Sequence, residues 1–238
     1  MGFSSDMYNL SSLLDGAIKG RIQLPDFQRG YKWEDERVRQ LLITILRRHP
    51  LGILMRLETG NETLRFKPRP IEGTEATVMA EPEYLLLDGQ QRLTSLTQAL
   101  TGNGIVQTKD SRGKLLVRRY FVKIDDLLDE DSLGDESVIS VPADGVVRTN
   151  FNRDVVMDLS TTEAQIEAGY FPCNLLYDSF GTFEWFRKHP NQSLGYEYNR
   201  QITPKIQDYQ IPAIDLDRRT DKAAVATVFE KLTSGGCR

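Results

Sequence analysis

Tyr84-Leu85-Leu86-Leu87-Asp88-Gly89-Gln90-Gln91-Arg92-Leu93-Thr94-Ser95-Leu96 decides the fold. The four residues ahead of Asp88 form a short apolar run suited to a covered strand. Leu93, Leu96 and Leu100 behind it recur at helical spacing and define one face. Asp88-Gly89-Gln90-Gln91-Arg92 is therefore a strand-to-helix turn. A glycine there lets the backbone approach a ligand closely. The free N–H groups of the first helical turn and the helix dipole favour an anion at the same place. The Arg92 guanidinium can grip phosphate as a fork. A nucleotide or phosphate site fits this pattern, and so does a capped helix in which Arg92 pairs with Asp88.

Working outward, Ser11–Ile18 reads as a short helix. Ile22–Leu24 is extended and ends at Pro25, and Asp26–Trp33 is irregular and rich in side-chain chemistry. Val38, Leu41, Leu42, Ile45 and Leu46 make an amphipathic helix over 34–48, with Glu34, Asp35 and Glu36 in its first turn and Arg47 and Arg48 in its last. Ile53–Glu58 reads as a strand and 59–82 as a hairpin or long loop. Gly102 and Gly104 close the helix after Gly89. Residues 107–114 read as a turn, Arg118–Ile124 as an alternating strand, and 125–136, with seven acidic residues, as a solvated loop. Asn150–Tyr170 is helical or mixed. Phe180, Phe183, Trp185 and Phe186 are expected to be core aromatics of a helix. Tyr209–Leu216 is a strand placed at an edge because of Pro212, and Asp221–Leu232 a last helix. The fold class expected is α+β: a small mixed sheet, surrounding helices and a helical C-terminal half. Residues 1–150 form the core and 151–238 a mainly helical extension of it.

The chain has 238 residues and a formal net charge of -4, so its surface as a whole does not advertise nucleic-acid binding. A local basic patch remains open, since residues 19–48 hold eight basic residues against four acidic ones. Cys173 and Cys237 supply neither a disulfide framework nor zinc spacing, which favours a reduced, cytoplasmic setting. No apolar run reaches the length of a membrane span, so no membrane partner is expected. His49 and His189 are expected to be solvated rather than catalytic. The end at Ser234-Gly235-Gly236-Cys237-Arg238 suggests that a further domain follows.

A second motif, Leu24-Pro25-Asp26-Phe27-Gln28-Arg29-Gly30-Tyr31-Lys32-Trp33, joins the first. Together they resemble the domain of unknown function 262, the N-terminal part of GmrSD-type (type IV) restriction enzymes. Tyr209-Gln210-Ile211-Pro212 and Val228-Phe229-Glu230-Lys231-Leu232-Thr233-Ser234-Gly235-Gly236 are similar to that family too, although its members usually have Asn at the position of Thr233. The resemblance implies a ParB- and sulfiredoxin-like fold with a nucleotide over the second motif. It also implies nucleoside-triphosphatase activity, action on modified foreign DNA in defence against phage, and cutting by a separate HNH-like nuclease domain or subunit. No HNH signature is present in the chain. A homodimer is a further partner arrangement to expect.

On these grounds the catalytic candidates are Asp88, Gln91, Arg92 and Arg29. The cofactor-binding candidates are Gly89, Gln90, Gln91, Arg92, Thr94 and Gln28. The cofactors would be a nucleoside triphosphate (GTP, ATP, CTP or UTP) and Mg2+, with Asp88 as metal ligand, water-positioning group or helix cap. Thr94 reaches either a phosphate or the previous helical turn. The DNA-binding candidates are Phe27, Gln28, Tyr31, Lys32, Arg37 and Arg39, with Tyr31 and Trp33 stacking on a base or anchoring to the core. The expected function is a nucleotide-hydrolysing sensor domain of a modification-dependent restriction system. The alternatives are a nucleotide-gated DNA-binding module with little turnover, or a DNA endonuclease domain.

Overall fold

A computed structural model describes residues 2–60, 66–74, 81–150 and 153–220. The elements in chain order begin β1 (Phe3–Asn9), α1 (Leu10–Ile18), β2 (Ile22–Pro25), α2 (Asp35–Leu46), β3 (Leu54–Glu58), β4 (Pro68–Arg69), β5 (Tyr84–Asp88) and α3 (Gln90–Leu100). They continue with β6 (Val106–Lys109), β7 (Leu115–Lys123), α4 (Ile124–Leu128), β8 (Val138–Pro142), β9 (Val146–Thr149) and β10 (Asp154–Asp158). The last are α5 (Thr162–Ala168), β11 (Tyr170–Pro172), α6 (Ser179–Lys188), α7 (Ser193–Gln207) and β12 (Gln210–Leu216). This is a mixed α/β fold with small sheets, surrounding helices and a helical C-terminal half. Among the described residues no helix is long and apolar enough to cross a membrane.

The chain divides into two compact units, and the division falls inside α3, between Thr94 and Ser95. The first unit takes Met1–Tyr31, Gly52–Thr94 and Gln210–Arg238. Its six-stranded mixed sheet has the order β1-β12-β3-β5-β2-β4. Leu85, Leu86 and Leu87 are all buried because β5 lies inside the sheet, covered on both faces. Met55, Leu57, Leu85, Leu87 and Leu216 cluster on one face. Arg56 alternates to the other face, where α1 buries Leu10, Leu13, Leu14 and Ala17. β12 is interior, not an edge: it runs antiparallel to β1 and parallel to β3. Pro212 is tolerated because pairing with β3 begins only at Ala213.

The second unit takes Lys32–Leu51 and Ser95–Tyr209. β7 is its spine, pairing with β6, β8 and β11, all antiparallel. α2 starts as its acidic first turn implies and buries Val38, Leu41, Leu42, Ile45 and Leu46. Phe171, Trp185, Phe186 and Tyr198 form an aromatic cluster with ring centroids 4.9–5.6 Å apart.

Several expectations need correction. Residues 107–114 are not all turn: Val106–Lys109 is a strand, and Asp110 closes the turn by accepting from the N–H groups of Arg112 and Lys114. The strand expected at Arg118 starts at Leu115 and does not alternate at its end, because Tyr120, Phe121 and Val122 are all covered. The acidic segment begins as α4, and its carboxylates Asp126 and Asp129 accept from Ser137 and Ser132. Phe180 and Phe183 are 76% and 61% exposed, whereas Trp185 and Phe186 are core. His189 is buried against Trp185 rather than solvated. The helix expected over 221–232, and Val228–Gly236 and Cys237 with it, lie outside the described residues.

Candidate nucleotide site

Gly89 sits at φ +90° between β5 and α3. A Cβ added at that positive φ would also run into a Leu54 methyl group, so backbone conformation and space together favour glycine there. Arg92, one turn into α3, lies back over this junction. One of its Nη atoms donates to the Ile53 carbonyl at 2.9 Å and approaches an Asp88 carboxylate oxygen at 3.4 Å. Its other Nη lies 2.6 Å from where a Cβ on Gly52 would stand, and the φ of +86° there already favours glycine. The Asp88 side chain is 44% exposed and that of Arg92 20%. The Asp88–Arg92 pairing of the capped-helix alternative is thus present in a loose, single-contact form.

The second motif, as far as Tyr31, lies directly against this turn within the same unit. Gln28 Nε2 donates to the carbonyls of Leu86 and Leu87 at 2.8 and 2.9 Å. Gln90 Nε2 donates to the Arg29 carbonyl at 2.8 Å, and Gln91 Nε2 to the Gly30 carbonyl at 3.5 Å. The three glutamines therefore act as a clasp between the segments. Arg69 steadies the clasp from β4: it donates to the Gln28 carbonyl at 3.2 Å and pairs with Glu72, whose carboxylate accepts from the Tyr31 N–H. Nothing in the sequence pointed to Arg69 or Glu72, which lie in the polar stretch read as hairpin or loop.

The clasp leaves the Arg29 side chain exposed and without an acid partner among the described residues. Phe27 is half exposed, edge-on to Phe66 at 4.9 Å. Thr94 is fully buried, so its hydroxyl does not open onto the turn. In the second unit, Lys32 and Arg37 are exposed. Arg39 is already engaged, forking onto Glu36 at 2.7 and 2.9 Å and donating to the carbonyls of Asp135 and Val138. The backbone carbonyl of Trp33 accepts from Thr108 Oγ1 and the Lys109 N–H.

Sequence reasoning missed a second polar cluster of the first unit. Arg56 forks onto Asp215 at 2.7 and 2.6 Å. Its guanidinium lies 4.0 Å from the Tyr8 ring centroid and 4.3 Å from that of Tyr84. Tyr8 also donates to Asp215, and its phenol is pushed up to about 12 by burial, with the carboxylate adding to the shift. A cavity of about 400 Å³ opens beside this cluster, at the opposite end of β5 from Asp88. Its lining sets Arg21 and Arg56 against Asp15 and Glu83, so it offers no excess positive charge to a phosphate. The motif turn, with Arg29 exposed and without an acid partner among the described residues, is the better candidate for an anion.

Gln28 Oε1 is buried with no hydrogen-bond partner among the described residues, and its orientation is fixed because Nε2 faces two carbonyls. Asp88, one exposed carboxylate, suits Mg2+, which takes one or two protein carboxylates together with phosphate oxygens and water.

The family model for the N-terminal domain of the GmrSD restriction endonuclease matches residues 10–238. An uncharacterized protein of Methanocaldococcus jannaschii is 26% identical over 250 residues, a match that takes in 100% of this chain and 40% of the relative. The chain thus spans well under half the length of that relative.

Proposed function

We propose, from the premise that this chain belongs to the GmrSD restriction endonuclease N-terminal domain family, that it is the nucleotide-hydrolysing sensor domain of a modification-dependent restriction system. The observation that carries the reading is the clasp of Gln28, Gln90 and Gln91. It holds Arg29, which has no acid partner among the described residues, beside a glycine turn, a helix N-terminus and the Asp88–Arg92 pair. A ParB- and sulfiredoxin-like core is the finer fold reading that the family resemblance implies.

In this reading the N–H groups at the start of α3 receive phosphate oxygens. Arg29 meets them from the second motif, and Arg92 exchanges its weak contact with Asp88 for a phosphate. Asp88 is the residue that would hold Mg2+ or orient water. Mg2+, when bound, supplies further neutralisation of phosphate charge. Gln28 and Gln91 fix the spacing of the two segments. Phe27 offers an apolar surface to a modified DNA group; Lys32 and Arg37, in the second unit, are by themselves candidate contacts to a DNA backbone.

Titrating ATP, GTP, CTP and UTP with Mg2+ by calorimetry, then following phosphate release, tests the reading. The expected result is saturable binding of at least one of them and slow release of phosphate. Binding without release would leave a nucleotide-gated module. No binding tighter than about millimolar, near 4 kcal/mol, would remove the nucleotide from the account.

A further inference from the structure

The β6–β7 hairpin carries a concentration of cations out of keeping with the chain. Residues 105–123 hold six basic residues (Lys109, Arg112, Lys114, Arg118, Arg119, Lys123) against one acidic residue, Asp110, in a protein of net charge -4. Asp110 is engaged in closing the turn, and Arg118 faces Asp35. Lys109, Arg112, Lys114 and Arg119 have no acid partner among the described residues. Glu34 bridges to Lys109 through the backbone but forms no ion pair with it.

The register sorts these residues onto one face. Lys109 pairs with Leu115 and Gln107 with Val117, and directly paired residues share a side. Arg119 continues that side of β7. The opposite side is the covered one, with Val106, Thr108 and Tyr120 buried. The outward side leaves Leu115 and Val117 exposed, with Arg112 and Lys114 exposed at the tip. Arg119 is the most telling member. It is half-buried, its close companion is the Phe121 ring at 5.2 Å, and burial alone pushes its guanidinium down. A half-buried cation without a counter-ion is a cost to the fold unless an anion comes to it.

We infer that the outward face of the β6–β7 hairpin is a contact surface for the phosphate backbone of duplex DNA, with Arg112, Lys114 and Arg119 as its phosphate contacts and Lys109 at its flank. The exposed Leu115 and Val117 give this face an apolar strip that can lie against deoxyribose. The inference supplies a surface for the DNA partner of the proposed function and rests on that part of it alone. It does not depend on nucleotide binding, which belongs to the other unit.

The test compares two double variants of equal net charge by fluorescence anisotropy on a short mixed-sequence duplex at two salt concentrations. One reverses the hairpin tip, Arg112→Glu with Lys114→Glu; the other reverses two exposed cations elsewhere, Arg200→Glu with Arg218→Glu. The tip variant is expected to lose about tenfold or more in affinity and to reduce the salt slope by about 2, while the control changes little. Nucleotide titration of the tip variant should match the parent chain; if the parent binds no nucleotide, the DNA result still stands by itself. Equal losses in both variants, or no DNA binding by the parent, would overturn the inference. Polyglutamate bound as tightly as DNA and lost in the same variant would assign the face to acidic proteins and also overturn it. Arg119→Met adds a second readout: weaker DNA binding with an unchanged or raised melting temperature is expected. A lowered melting temperature with unchanged DNA affinity would make Arg119 a structural residue and remove it from the surface.

Discussion

Two arginine–aspartate pairs of the first unit, Arg56–Asp215 and Arg92–Asp88, are built in opposite ways. Arg56 and Asp215 meet through two short bonds between two tyrosine rings, with side chains 4% and 12% exposed. Arg92 and Asp88 meet through one contact at 3.4 Å with half of the carboxylate's surface open. The first pair has its charges satisfied by its own neighbours and is architecture. The second leaves its carboxylate nearly half exposed. A charge pair is informative about function when it is incomplete, and the contrast is measurable.

The largest effect is expected at Arg56→Ala, which strands a buried carboxylate. It should cost about 3–5 kcal/mol in urea unfolding; a loss below about 1 kcal/mol would mean the pair is not the buried anchor described. Tyr8→Phe keeps the ring on the guanidinium and removes one bond to a charged group, at a cost of about 1.5 kcal/mol. Its pH dependence has a definite sign. The folded-state phenol is raised from 10 to about 12, so its contribution is present below pH 10 and fades as pH rises toward 12. The difference between parent and Tyr8→Phe should therefore shrink over that window, and a difference that grows there would contradict the assignment.

Gly89→Ala sharpens the comparison from the other side. The positive φ and the Leu54 methyl together should cost about 1–3 kcal/mol. Adding Leu54→Ala should recover the steric part of that loss at residue 89, read as a favourable coupling in a double-mutant cycle; no coupling would mean that Leu54 does not set the need for glycine. Arg92→Ala comes last in stability, at about 0–1 kcal/mol, because its contact with Asp88 is partly exposed. Its nucleotide affinity should nevertheless fall by about tenfold or more through loss of a charge-assisted contact. A large drop in stability with unchanged affinity would make Arg92 a second Arg56.

What the sequence made legible follows from which interactions are local. The strand–turn–helix at 84–100 could be read directly, because Leu85–Leu87, Gly89 and the Leu93/Leu96/Leu100 spacing all state the same structure. α2 was equally plain from its acidic start and apolar stripe. The Arg56–Asp215 cluster was invisible because its members are 159 residues apart and meet only through the β3–β12 pairing. The interior position of β12 was hidden for the same reason, Pro212 being a local signal of an edge that the start of the β3 pairing overrides. The edge strand β1 and helix α7 went unread: β1 is mostly exposed, and α7 carries Pro204 inside it and buries only three residues. At the site itself the two motifs were legible but the clasp was not, since Gln28, Gln90 and Gln91 bond to backbone carbonyls, which leave no mark in sequence. Nor could spacing show that Thr94 would be buried or Arg39 already engaged.

The most direct test of the single-site reading is a double-mutant cycle on nucleotide affinity, with Arg29→Ala, Arg92→Ala and the pair measured by calorimetry. Two guanidinium groups that share one bound polyphosphate should couple, the double variant departing from the sum of the singles by about 0.5 kcal/mol or more. Clean additivity, or an affinity that neither substitution changes, would contradict the placement of Arg29 and Arg92 at one nucleotide site.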